Sequence, residues 1–540
     1  MADHENRFFQ ELNEEWDAEK AVQERRDFFR TTEEQLKTNA PAPHKLPTAP
    51  EPPAAPPRKP GNQKPVHQKP GNRRPGNRKR RKKKVNVRGW LILIGIGLAV
   101  ILLLVGLITL LVHVFSSDKG KETEVPSESL TVVETTESRM EKITPILEEA
   151  EKLAGSYNYE EALSVLHEYG TDWAQQPELK EAETKFLQAQ EKLVRWPDVT
   201  TIPHAFFRPV IIDPARAFDG DENETLYNQS MITEKELRAI LQELYNRGYV
   251  LINMHDMVKE ETDPSGYTAF KPGDIYLPEG KKPIVLSQED VNYYRYRVAG
   301  SGGGLVADAE GDGFACKLLL DENGKITNEY VDAQGNVLYG AYDFATIVDE
   351  FVEAHPDFSY RGAKGVLAVT GVEGVFGLQT HPEWEKKLGE EAYMNVIRQG
   401  QEIAEALKKD GWEIASMGYA KISNGNVSVD EMKENLDKWE NQVEPVVGNS
   451  DIFIYANGSD IAGMETYSGE KFDLLYNAGY RFFVNMDSAP YFVQIKDNYM
   501  RQARRVIDGY RLEYSGEFLA DLFDAAKIID DARPRPVPQV

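Results

Sequence analysis

The chain has 540 residues, 28% charged and 41% hydrophobic, enough apolar content to bury the cores of two or three domains. Its net charge of −25 is split: residues 1–88 carry 21 Lys/Arg and 12 Asp/Glu, a net of +9, and the remainder carries −34. A single cysteine, Cys316, excludes an internal disulfide and a multi-cysteine zinc site, and fits a reducing compartment or a bacterial surface.

Residues 1–39 are expected to form a helical cytoplasmic segment. Across 5–37, Phe8, Phe9, Leu12, Trp16, Val22, Phe28 and Phe29 recur at helix-like intervals among charges, which suits a partner-binding helix or a solvated one. Residues 40–88 are rich in Pro, Gly, Asn and Lys, with PGN at 60–62, 70–72 and 75–77, and are expected to be disordered. The segment 89–117 has no charged residue, and Trp90–Val112 is long enough for the roughly 20 apolar residues of a membrane span, so 89–115 is expected to cross as a signal-anchor. RKRRKKKVNVR at 78–88 marks the N-terminal side as cytoplasmic and suits anionic lipid headgroups better than nucleic acid. The rest of the chain would then lie outside the cell.

A linker, 116–137, leads to helices over 138–198. AEKLAGSYNYEEALSVLHEY (150–169) loosely resembles one tetratricopeptide repeat, which cannot bury its own apolar face, so it packs on a neighbour or serves as a stalk; a spacer is the simpler reading. From 199 to 530 apolar runs alternate with amphipathic helices: AFFRPVIID (205–213), a helix at 233–249, VLINM (250–254), KPIVLS (282–287), GVLAVTG (365–371), WEIASM (412–417), DIFIYA (451–456) and GYRFFVNMD (479–487). This alternation predicts an α/β fold, a distorted (β/α) barrel of about seven units, with a β-meander inserted at 315–339 and a tail at 531–540. Functional groups of such barrels sit at strand C-termini. The candidates are Arg208 with His204 nearby, His255, Gln288–Glu289–Asp290, Met417 with Lys421, Tyr455–Asn457 and Asp487.

These stretches resemble the polysaccharide deacetylases of carbohydrate esterase family four. KPIVLSQEDVNYY (282–294) resembles their first motif, a strand ending Thr-Phe-Asp-Asp, and EIASMGYAKIS (413–423) their Ser-His-x-x-x-His. IFIYANGSD (452–460) is similar to the groove motif Arg-x-Pro-Tyr, VNMDS (484–488) to the motif after it, and DNYMRQARRVIDGY (497–510) to the late Arg-containing segment. The resemblance implies removal of acetyl groups from a glycan by a water activated on a divalent metal, with one Asp and two His as ligands and a neighbouring acid as base. Position by position, Glu289 takes the base place, Asp290 the metal-ligand place, and Met417 and Lys421 the two His places; Arg208, Tyr455, Asn457, Asp487 and Arg504 fall in the groove.

The sequence departs from the family at the metal. Met417 offers a soft thioether, and Lys421 brings a cation to a cation's place, where two unit charges 4 Å apart repel by about 4 kcal/mol at an effective dielectric near 20. No histidine follows His381, and His204, His255, His355 and His381 form no paired motif, reading as capping or loop residues. Lys421 is expected to pair with Asp290 or Glu289, with Arg208 in reserve. SGGGLVADAEGDG (301–313) reads as a flexible loop, lacking phosphate-loop and calcium-loop spacing. Tyr455, Tyr467, Tyr491 and Phe492 could stack on sugar rings or pack in the core. The expected protein is a single-pass membrane protein whose outer domain meets cell-surface polysaccharide or peptidoglycan without metal-dependent deacetylation. No cofactor is expected; a rebuilt deacetylase using zinc or another divalent metal, and a linker between wall and cytoplasmic partners, are the alternatives.

Overall fold

The computed structural model describes residues 136–294, 297–298, 311–486 and 492–539. The N-terminal helix, basic tail, membrane span and linker up to residue 135, residues 301–310 of the Gly-rich loop, Asp487 and Tyr491 lie outside the described residues. Among the described residues no helix is long and apolar enough to cross a membrane.

Seven strands close a parallel barrel: β1 His204–Phe207, β2 Lys282–Gln288, β3 Gly365–Val369, β4 Trp412–Ser416, β5 Ile452–Ile454, β6 Phe482–Met486 and β7 Tyr499–Val506. Each pairs with the next in chain order, and β7 pairs back with β1 through Arg505↔Ala205. Period-two alternation sorts their side chains. Val285, Val366, Ala368, Ala415, Met417, Ile452, Ile454, Val484 and Met500 share one buried cluster inside, while Leu286, Leu367, Val369 and Ile414 meet the surrounding helices. The barrel is irregular at one place. β2 pairs with the short strand Tyr249–Leu251 over Lys282–Ile284 and with β3 only at Ser287 and Gln288.

Three helices precede the barrel: α1 Thr136–Gly155, α2 Tyr159–His167 and α3 Pro177–Gln190. They do not stand off as a spacer. Ile143, Ala150, Leu166, Leu179 and Phe186 belong to the same buried cluster as the barrel interior, Arg361 N donates to Ser156 O at 2.7 Å, and Tyr157 Oη donates to Asp357 O at 2.7 Å. A helical hairpin with an apolar face must bury it, and here the barrel supplies the cover.

Around the barrel run α4 Glu234–Asn246, α5 Phe344–Ala354, α6 Glu390–Lys409, α7 Val429–Gln442 and α8 Glu470–Asn477. Capping boxes start three of them, Thr233 with Glu236, Asp343 with Thr346 and Ser428 with Glu431, and Leu237, Ile240, Leu241 and Leu244 form the buried face of α4. The meander comprises Lys317–Leu320, Ile326–Val331 and Val337–Gly340, antiparallel throughout. Its two turns repeat one device. Asp321 and Asp332 each accept backbone N–H groups two and four residues on, and Gly324 and Gly335 take positive φ. Of the segment 531–540 expected as a tail, the described residues 531–539 are anchored through Arg533 instead. Arg533 is buried, pairs with Glu236, and donates to the carbonyls of Asn228 and Met231.

Candidate functional site at the C-terminal mouth of the barrel

β2 ends in Gln288 and delivers Glu289 and Asp290 to the mouth, with Glu289 N bonded to Phe207 O at 2.9 Å. Asp290 holds a left-handed backbone, φ 60°, which is costly for a residue with a side chain. Its carboxylate is buried. Lys421 Nζ donates to Oδ2 at 2.8 Å, Arg297 Nη2 lies 4.0 Å away, and Tyr294 Oη donates to Oδ1 at 3.3 Å. Burial pushes this carboxyl up, but the charges of Lys421, Arg297 and Arg208 together outweigh it and hold the group below the usual carboxylate range.

Lys421 is aimed by the loop after β4. Gly418 turns the chain at φ 73°, and a Cβ there would collide with Asn435 Oδ1. Asn435, on α7, clamps the loop from both sides: Oδ1 accepts from Tyr419 N at 2.8 Å, and Nδ2 donates to Ala420 O at 3.0 Å. Met417, four residues before Lys421, points into the apolar interior and is fully buried. Glu289 is held by Arg504, a buried guanidinium whose Cζ lies 4.2 Å over the Phe206 ring. Arg208 lies 3.6 Å from Asp508 Oδ2 and donates to Ser230 O at 3.3 Å.

The structure therefore gathers Glu289, Asp290, Lys421, Arg504 and Arg208 at one mouth. Other residues fall elsewhere. Tyr455 packs outside the barrel wall with Phe453, Tyr467, Tyr480 and Phe483, fully buried, so its ring has no face for a sugar. Tyr467 belongs to the same cluster. Asn457 turns the chain after β5 at φ 61°. His255 lies at the opposite end, between Glu413 and Asp451 at the starts of β4 and β5, because Tyr249–Leu251 covers only the first part of β2. His204 is not a loop residue but a buried one inside the barrel.

Asn435 and Asp460 were not singled out by sequence. Asp460 closes the stretch IFIYANGSD and accepts from Tyr467 Oη at 2.6 Å, Asn485 Nδ2 at 2.9 Å and Arg501 Nη2 at 2.7 Å. Arg501 also donates to the carbonyls of Gly463 and Glu465, which fixes the loop after β5.

A divalent metal does not fit the donor set. Asp290 already faces two cations, and Met417 presents a thioether within an apolar cluster. Among the described residues no three His, Cys, Asp or Glu side chains gather where they could hold a metal ion.

No family model matches the chain, and no curated protein matches it. Solved structures overlap it weakly. The deacetylase PplD of Streptococcus pyogenes, in complex with acetate, is 11% identical over 59% of this chain and 94% of its own, with a TM-score of 0.29. A polysaccharide deacetylase from Bacillus cereus is 9% identical over 61% of this chain and 69% of its own, with a TM-score of 0.30. The BpsB deacetylase domain from Bordetella bronchiseptica is 10% identical over 58% of this chain and 97% of its own, with a TM-score of 0.29. Overlaps this slight decide nothing about the chain's activity.

Proposed function

We propose that the protein is a membrane-anchored, extracytoplasmic relative of polysaccharide deacetylases that meets cell-surface polysaccharide or peptidoglycan without metal-dependent deacetylation. One observation carries this reading: Lys421 Nζ stands 2.8 Å from Asp290 Oδ2, where the resemblance calls for a metal ion. An ammonium neutralises the carboxylate, yet it cannot lower the pKa of a water as a divalent ion does. The basic run 78–88 would touch anionic lipid headgroups, residues 89–115 would cross the membrane, and residues 5–37 would offer a helix to a cytoplasmic partner.

The test combines metal analysis with two assays on the purified protein. No stoichiometric divalent metal is expected, and no acetate release from acetylated cell-wall glycans, while those glycans bind. Bound metal with acetate release would establish a rebuilt deacetylase instead. Absence of glycan binding, with capture of a partner through residues 1–37, would favour a membrane-to-wall linker.

A further inference from the structure

Inside the barrel, next to the two carboxylates, a buried hydrogen-bonded row runs from Gln502 to Glu289. Gln502 Nε2 donates to Ile202 O at 3.0 Å, which turns Oε1 toward His204 Nδ1, 3.1 Å away. A flipped amide would set Oε1 against the Ile202 carbonyl, two acceptors with no proton between them. His204 Nδ1 therefore carries the proton. Nε2 then has only a lone pair and accepts from the Ser287 hydroxyl at 2.8 Å. Ser287 Oγ, its proton committed, turns a lone pair toward Arg504 Nη1 at 3.4 Å, and Arg504 Nη2 donates to Glu289 Oε1.

The other protonation states fit worse. With the proton on Nε2, the Nδ1 lone pair would meet the Gln502 oxygen. An imidazolium would be buried beside a guanidinium; burial first, then the Arg504 charge, hold this histidine well below its ordinary pKa. Gln502, His204, Ser287 and Arg504 are all at most 1% exposed, so water does not compete for these bonds.

We infer that His204 is a positioning residue: as the neutral Nδ1–H tautomer it passes the fixed orientation of Gln502 through Ser287 to the guanidinium that holds Glu289. The consequence, a fixed carboxylate at a glycan-facing mouth, rests on the proposed function; the relay itself does not.

The experiment uses the full chain labelled with 15N-histidine, which has nine histidines to resolve. One imidazole should remain neutral and Nδ1-protonated from about pH 5 to 8, and its signals should vanish in His204→Gln. An Nε2–H tautomer or an imidazolium at neutral pH for the signals that His204→Gln removes would overturn the relay. In 15N-arginine-labelled protein, the Arg504 guanidinium should show separate, slowly exchanging Nη signals that Ser287→Ala and His204→Leu lose. His204→Gln should keep them, because its amide oxygen can accept from Ser287 in place of Nε2. Survival of the signals in Ser287→Ala, or equal behaviour of the Leu and Gln variants, overturns the inference. Should a variant fail to fold, the tautomer in the unaltered protein still decides. Neither measurement reads glycan binding or acetate, so the relay and the proposed function can fail separately.

Discussion

Lys421 and Asp290 behave as a partly buried ion pair whose members are not equivalent. The carboxylate side chain has no exposure, while the lysine side chain is 16% exposed. Losing the lysine removes the hydrogen-bonded counter-charge and leaves the buried carboxylate facing Arg297 at 4.0 Å, which costs about 3 kcal/mol. Lys421→Ala should therefore lower the denaturant midpoint sharply, and Lys421→Ala with Asp290→Asn should recover much of the loss, because the amide needs no counter-charge. The pH dependence has a definite sign. Asp290 is held below the usual carboxylate range in the fold, so its stabilisation is present above the unfolded pKa and fades as pH falls through the folded one. The gap between the unaltered protein and Lys421→Ala should thus narrow in acid. A gap that widens toward low pH would show that the ammonium acts on something other than this carboxylate.

At the scale of elements, the loop after β4 and the base of the barrel each carry a test. Gly418→Ala meets two penalties, a positive φ and a collision with Asn435, and should destabilise the fold by more than about 1 kcal/mol in urea titration. Asn435→Ala should relieve the collision, so the double variant should lose less than the two single losses added together. At the base, His255 sits between Glu413 and Asp451 and over Phe482, ring centroids 4.3 Å apart. Desolvation lowers its pKa, but the two carboxylates more than offset it and raise it to about 10. A raised histidine stabilises fully below its unfolded pKa of about 6.5 and loses that contribution as pH rises through the folded value. His255→Gln should therefore be less stable than the parent at pH 7, with the difference fading near pH 10. Because the imidazole is 49% exposed, the effect at pH 7 should also shrink in high salt.

These elements also show what the sequence could carry. Strands β1 to β6 were legible as short apolar runs, but β7, YMRQARRV, was read only as an Arg-containing segment, and VLINM, counted as a unit, supplies a short strand that pairs with β2 only at its start. The contact of Lys421 with Asp290 was legible from the place of each after its strand. The inward turn of His204 was not. HAFF is buried on both faces, so alternation alone could not say which residues point inside; only pairing with β2 and β7 selects His204 and Phe206. Asn435 was hidden for a different reason: it acts across 15 residues from another element on Ala420, and nothing in the local pattern of α7 marks it. Tyr455 resembled a groove residue by motif, yet Ile452, Ile454 and Ala456 take the inward positions of that strand, which sends the tyrosine outward.

On the scale of the whole molecule, the boundary drawn from the resemblance and the boundary drawn from the core differ. The resemblance begins near residue 199, but the buried cluster inside the barrel continues into α1, α2 and α3 through Ile143, Leu166, Leu179 and Phe186. Strand Leu193–Arg195 adds an antiparallel pair with Tyr276–Pro278. A fragment of residues 199–540 would expose the apolar floor that these helices cover, at about 25 cal/mol for each Å² opened to water. It should therefore aggregate or bind a hydrophobic dye, while a fragment of residues 136–540 should unfold in a single cooperative transition. Within the longer fragment, Phe186→Ala should lower the midpoint of that one transition by about 3 kcal/mol without splitting it, since Phe186 belongs to the shared core. Two separate transitions, or a stable, soluble 199–540 fragment, would show that the helices are an appendage and that the barrel closes its own floor.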